Sequence, residues 1–342
     1  MRRTALCGQR RLLFQRIRVH AHGASDQLWL EGFEPSELKT FLKPNEVLVR
    51  NTFAGVNFID TYFRTGLYKM PQMPYTPGLE GAGAVVQVGS AAPASLLGQR
   101  VSYHGDSSGS YASFTIVAQD SLSRVPEGVS DADAAAVPCQ AFTAHYLTHD
   151  SYVCGPGSVV VVQAAAGGTG LLICQMAKLR GATVIALCGG EAKAALAASV
   201  GRADHVIDYK AVHDWPAAVR QIAPEGVHAV YDGVGRDTFE GDLRVLRRRG
   251  TLVSFGNASG AVPPVAPLLL AGSIYLQRPK LNDYMVTAEE REKRAADVYG
   301  WIQKKQLQLT IGKIFPLSEA AQAHAYIEGR QSTGKLLLNC KE

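Results

Sequence analysis

No stretch of 18 or more apolar residues occurs in this chain, which removes a membrane-spanning helix. The most apolar segment, 261–276, is broken by Pro263, Pro264, Pro267 and Gly272. Cysteine is sparse: six are scattered at Cys7, Cys139, Cys154, Cys174, Cys188 and Cys340, with no CxxC pair. That spacing excludes a disulfide framework and a thiolate metal cluster, and points to free thiols in a reducing compartment. A net charge of +5 over 342 residues leaves no basic stripe for nucleic acid. Acidic residues are missing before Asp26, where Arg2, Arg3, Arg10, Arg11, Arg16 and Arg18 stand. An arginine-rich, acid-poor start suits a mitochondrial targeting peptide, but serines are few and 16–22 already reads as strand. The expectation is a solvated extension on a cytoplasmic protein, with mitochondrial delivery as the alternative. No internal repeat or low-complexity segment is visible.

What is present is a buried strand that runs into a turn with almost no side chains. Val159–Val162 leads through Gln163, Ala164, Ala165 and Ala166 into Gly167, Gly168, Thr169 and Gly170, and an apolar helix follows. Such a turn lets backbone N–H groups approach a pyrophosphate, and the helix N-terminus adds partial positive charge. Ala165, Gly167 and Gly170 occupy the three glycine slots of the dinucleotide fingerprint. Further strands at 182–188, 205–208, 227–232 and 250–255 alternate with helical segments, as βαβ units of a parallel sheet do. The earlier part differs: short alternating strands at 46–53, 83–88, 99–104 and 111–117, with glycine, proline and serine between them, predict a mostly β, barrel-like domain. A helix at 131–147, interrupted by Pro138, joins the two, and 333–338 is a terminal strand able to return to the first domain. The fold class is therefore α/β, a doubly wound Rossmann nucleotide domain (139–275) beside a β-barrel domain (1–138 and 276–342).

In this order the chain resembles the medium-chain dehydrogenase/reductase superfamily, and within it the zinc-free, ζ-crystallin-like NADPH:quinone oxidoreductases. The matching residues include Gly55 to Tyr62, Gly66-Leu67-Tyr68, Pro77 to Gly83, Ala164 to Gly170, Tyr231 to Asp237, Val253 to Gly260 and Arg278-Pro279. The resemblance implies a GroES-like barrel for the first domain and a cleft between the domains. Zinc-dependent relatives have cysteine at the place of Asn57 and histidine at that of Leu79. A catalytic zinc needs about three N, S or O ligands, and Glu80 alone cannot hold it. His104 with Asp106 is a conceivable ligand pair that reads better as surface loop.

The second nucleotide-domain strand ends Leu187-Cys188-Gly189-Gly190 without the carboxylate of NAD-specific sites. Lys193 is close enough in sequence to serve a 2′-phosphate, so NADPH is expected, with Gly190 at the turn. The resemblance adds Tyr209 and Arg330 at the phosphate, and Ala166, Gly167, Gly168 and Thr169 at the pyrophosphate. It places Asn57, Tyr62 and Tyr68 at the catalytic cleft near the nicotinamide ring, and makes Asn57, with Gln140 and Thr143 at the domain junction, contacts of the cofactor as well. Ser254, Phe255, Gly256 and Asn257 border the ribose, and Leu276 and Gln277 the carboxamide through main-chain groups. Gly233 departs from the small hydroxyl residue common in relatives. The implied reaction is quinone reduction, with the reduced oxygens taking protons from water or Tyr62, and electron delivery singly or as hydride left open. The rivals are a zinc-free enoyl or enone reductase, and an NADPH-binding structural or RNA-binding protein using Arg244, Arg247, Arg248 and Arg249. Segment 273–277 reads as an apolar strand at the sheet edge, which predicts a homodimer joined through the Rossmann domains.

Overall fold

The computed structural model describes residues 14–34, 38, 42–70, 72–105 and 109–341. Arg2, Arg3, Arg10, Arg11, Cys7 and Asp106, on which the extension and ligand-pair readings rest, lie outside the described residues. The first strands are β1 (Phe14–Val19), β2 (Leu28–Phe33), β3 (Glu46–Val56), β4 (Glu80–Val88), β5 (Arg100–His104), β6 (Phe114–Ala118) and β7 (Leu122–Arg124). Then come β8 (Val159–Val162), β9 (Thr183–Cys188), β10 (His205–Asp208), β11 (Val227–Asp232), β12 (Leu246–Ser254) and β13 (Tyr275–Gln277). The last two are β14 (Ile311–Pro316) and β15 (Lys335–Asn339).

Strands β8 to β13 form one parallel sheet in the order β10-β9-β8-β11-β12-β13. Counted from β8, this is the doubly wound dinucleotide-binding order, whose crevice opens at the carboxyl ends of the strands. Helices cover both faces of such a sheet, and Val160, Val161 and Val162 of its central strand are accordingly fully buried. The second sheet runs β14-β15-β3-β4-β5-β7, with β6 also paired to β3. Its β15 lies antiparallel to β3, pairing Leu336 with Val56 and Leu338 with Ala54. The carboxyl end of the chain therefore folds back onto the first domain.

Three elements depart from expectation. The joining helix runs past the expected end at 147, and its interruption at Pro138 is a widened turn and not a break. It runs Asp131–Ala136, widens at Val137–Ala141, resumes at Phe142–Tyr146 and widens again over Leu147–Ser151. Pro138 has no N–H to donate one turn back, and the N–H of Cys139 goes instead to Glu80 Oε2 at 2.6 Å. Widened turns concentrate at functional sites, and this one delivers Cys139 and Gln140 into the interdomain cleft.

Strand β12 begins at Leu246, ahead of the expected 250, with a register shift between its pairings of Leu246 with Val227 and of Thr251 with Ala229. Arg247, Arg248 and Arg249 thus stand in a strand, with Arg249 left-handed at φ 62°, and do not form a helix end. Arg247 Nη1 lies 2.6 Å from His228 Nε2, and Arg244 pairs with Asp214 at 3.7 Å. Intrachain partners therefore engage two of the four arginines offered to a phosphate backbone. The edge strand β13 is short, and the preceding Ile274 bonds its N–H to Leu270 O.

Candidate active site

The dinucleotide turn is built by contacts too close for side chains. Ala164 is left-handed (φ 49°) and its carbonyl accepts the N–H of Gly167 at 2.9 Å. A Cβ on Gly170 would stand 2.4 Å from Ala164 O, and one on Gly168 would stand 2.0 Å from Gln140 Oε1. The helix Gly168–Leu179 then starts from Gly167 with no side-chain cap. Its first N–H groups are left for a ligand, as helix starts that bind anions require. Ala166 is buried, and its carbonyl accepts the N–H of Gly334, tying the turn to the strand that leads into β15.

Beyond the end of β9, Gly190 is left-handed (φ 99°) and opens the helix Glu191–Ser199. Lys193 Nζ donates to Arg330 O at 2.7 Å, and the Arg330 guanidinium pairs with Asp237 at 3.2 Å. Burial, then Lys210, lowers the Lys193 pKa, with Arg330 adding to the effect. A 2′-phosphate beside Lys193 and Lys210 would offset their mutual repulsion. Tyr209 is half exposed, with its ring over Gly189, where a Cβ would meet the ring at 2.7 Å. Glu191 is exposed, and Asp208 accepts the N–H groups of Gly190 and Lys210 at 2.8 and 2.9 Å. Lys210 is a cation of this cluster that the sequence reading missed.

A cleft of about 790 Å³ separates the domains, walled by Asn57, Tyr62, Tyr68, Gln140, Thr143, Gly167, Gly168, Thr169, Phe255 and Gly256 among others. Ser254 is the last residue of β12, and the following Phe255 N–H bonds Asp232 O. A Cβ on Gly233 would be 2.9 Å from the Phe255 ring, which explains the glycine there. The Tyr62 hydroxyl accepts the Asn257 N–H at 2.9 Å, and its own proton remains to be donated. Burial raises the Tyr62 pKa to about 12 against the Asn257 hydrogen bond, so the hydroxyl stays protonated at neutral pH. Tyr68 packs edge-on against Tyr62 at 5.3 Å.

Arg278 donates to Ser254 O, Gly256 O and the Tyr68 hydroxyl at 2.8, 3.1 and 3.1 Å, clasping the two domains at the cleft mouth. Leu276 and Gln277 stand on β13, and the Gln277 side chain is bonded to Ser151. Arg278 follows them directly in the chain.

Residues 43–127 match the family model of the alcohol dehydrogenase GroES-like domain, and 168–299 that of zinc-binding dehydrogenases. The quinone oxidoreductase of Pseudomonas aeruginosa is 38% identical over 326 residues, 95% of this chain and 99% of that one. The chain belongs to the quinone oxidoreductase family of medium-chain dehydrogenases/reductases. A probable quinone oxidoreductase of Schizosaccharomyces pombe is 42% identical, over 87% of this chain and 90% of that one. The structure of the Escherichia coli quinone oxidoreductase complexed with NADPH superposes with a TM-score of 0.90 at 37% identity, covering 95% of this chain and 99% of that one.

The zinc named in one matching family model does not fit these residues. Asn57 and Leu79 supply neither thiolate nor imidazole, and both oxygens of Glu80 already accept hydrogen bonds. Its Oε1 takes Asn57 Nδ2 at 2.7 Å and pairs with Lys335, while its Oε2 takes the Cys139 N–H. Among the described residues no group of three or more His, Cys, Asp or Glu side chains could hold a metal. Dialysis against a chelator should therefore leave the activity of this quinone oxidoreductase unchanged, and metal analysis should find well below one zinc per chain. Lys335, Glu80 and Arg278 are the site residues that sequence reasoning passed over. For Lys335 a signal existed, because a lysine opening a Lys-Leu-Leu-Leu strand is out of place unless it is paired.

Proposed function

We propose that this chain is an NADPH-dependent, zinc-independent quinone reductase. The observation that carries the reading is the cleft, where the open helix start at Gly168 and Thr169 and the hydroxyls of Tyr62 and Tyr68 face one space. Bound NADPH would supply the reducing equivalents. The uncapped turn holds its pyrophosphate, and Lys193, Tyr209 and Arg330 hold the 2′-phosphate. Phe58, Ile59, Met70 and Leu281 give the cleft apolar walls for a planar ring and exclude water from it. Tyr62, held by the Asn257 N–H, directs its proton to the reduced oxygen of the quinone. Lys193→Ala should raise the NADPH KM about tenfold, the value of one charge-assisted hydrogen bond, and leave the NADH KM nearly unchanged. Equal losses for both cofactors would show that Lys193 does not read the 2′-phosphate.

We also propose a homodimer joined edge to edge through β13. Tyr275, Leu268 and Leu269 are 53%, 90% and 57% exposed beside an unpaired strand edge, which proteins cover or pair. Pairing with its own copy about a two-fold axis satisfies that edge. Tyr275→Glu would set like charges across the axis, so a dimer in sedimentation should become a monomer. An unmodified protein that sediments as a monomer at micromolar concentration would contradict the dimer. The free thiols of Cys139, Cys154, Cys174, Cys188 and Cys340 suit a reducing compartment, for which the cytoplasm is our proposal.

A further inference from the structure

An ammonium group has hydrogens to give and no lone pair to receive one, so whatever faces it must present an acceptor. Lys335 is buried, and its Nζ donates to Val56 O at 3.2 Å, to Asn57 Oδ1 at 2.8 Å and to Glu80 Oε1. All three of its protons are thereby placed. Because Oδ1 of Asn57 faces Lys335, Nδ2 must lie on the other side, where it meets the acceptor Glu80 Oε1 at 2.7 Å. Gln140 is then obliged to present its Nε2 to Asn57 Oδ1, as it does at 3.3 Å. A rotated Asn57 amide would set N–H against ammonium and carbonyl against carboxylate. Two repulsions forbid it.

Asn57 borders the cleft, and its second Nδ2 proton has no acceptor among the described residues. We infer that Lys335 is a positioning residue that fixes the polarity of the Asn57 amide, so that the group offered to the cleft is an N–H donor. The ligand atom such a donor selects is an acceptor oxygen that gains negative charge, which the carbonyl oxygen of a quinone does on reduction. The inference rests on the quinone reductase reading and adds the residue that sets the direction of this donor. Glu80 is the counter-ion of Lys335, and by accepting the Asn57 Nδ2 proton it holds the same polarity from the other end of the amide.

The test compares Asn57→Ala, Glu80→Gln, Lys335→Met/Glu80→Gln and the triple variant. Removing both charges together avoids a lone buried ion, and it takes away both the ammonium at Asn57 Oδ1 and the carboxylate at Asn57 Nδ2 that fix the amide. Three readouts are needed: kcat for 1,4-benzoquinone at saturating NADPH, the NADPH Kd by nucleotide fluorescence, and the melting temperature. Asn57→Ala and Lys335→Met/Glu80→Gln should each lower kcat by roughly 10- to 100-fold, as loss of a donor to a developing oxyanion does. The NADPH Kd should stay within about threefold, because the lost contact acts only in the reaction. Glu80→Gln alone, which leaves the Lys335 ammonium buried without its counter-ion, should lower the melting temperature, and the double variant should recover most of that loss.

The triple variant should be no slower than Asn57→Ala, the non-additivity of groups acting through one another. A wild-type kcat in Lys335→Met/Glu80→Gln, or fully multiplicative losses in the triple variant, would overturn the inference. Failure of the unmodified enzyme to reduce any quinone would instead overturn the functional reading on which it rests.

Discussion

Gly170→Val should lose NADPH binding by about 100-fold or more, the cost of forcing a side chain into a space already filled by backbone. A Cβ at this position would lie 2.4 Å from Ala164 O and 2.8 Å from Ala165 Cα. Neither atom can swing aside as a side-chain tip would, because Ala165 is bonded through its N–H to Leu187 O on β9 and Ala164 already holds Gly167. The helix start must move away from the turn, taking with it the N–H groups that would meet the pyrophosphate. Gly300→Ala, within the helix Ala288–Gln303 with open space at its Cβ, should bind like the unmodified protein. Equal nucleotide fluorescence from the two variants would contradict this assignment of the turn.

Lys335→Met alone has the second large expected effect, on stability. It leaves Glu80 buried among Asn57, the Cys139 N–H and apolar strand residues, with its charge uncompensated. Breaking one half of a buried ion pair costs about 3–5 kcal/mol, which should lower the melting temperature on the order of 10 °C. The paired replacement Lys335→Met/Glu80→Gln should recover most of that loss, because no lone charge remains. A single variant as stable as the double one would mean that Glu80 finds another partner or becomes neutral without cost.

The sequence showed the framework of this molecule more fully than its site. Val159–Val162 and Val227–Asp232 were readable because valine-rich runs bounded by turn residues have few other uses in a chain of this kind. The glycine turn was readable for the same local reason. The Lys335–Glu80 pair was not: a lysine opening an apolar strand signals that a partner is needed, but that partner lies 255 residues away and is met only because β15 returns to β3. Arg278 was quoted in the family resemblance, but its role as a clasp on Ser254, Gly256 and Tyr68 appears only when the domains close on one cleft. The early start of β12 was hidden because Arg247 to Arg249 carry polar side chains through a register shift, where hydrophobic periodicity gives no signal. The widened turn at Val137–Ala141 was half legible: Pro138 marked the interruption, while the acceptor that keeps the run helical, Glu80, lies 59 residues away.

The most direct test of the central claim is initial-rate turnover of the unmodified protein, with NADPH and NADH side by side, on four substrates. These are 1,4-benzoquinone, 9,10-phenanthrenequinone, crotonyl-CoA and an alkenal, each assayed before and after dialysis against a chelator. Quinone reduction that prefers NADPH and is indifferent to the chelator is the predicted result. Turnover of crotonyl-CoA or the alkenal without the quinones, or a preference for NADH, would contradict it.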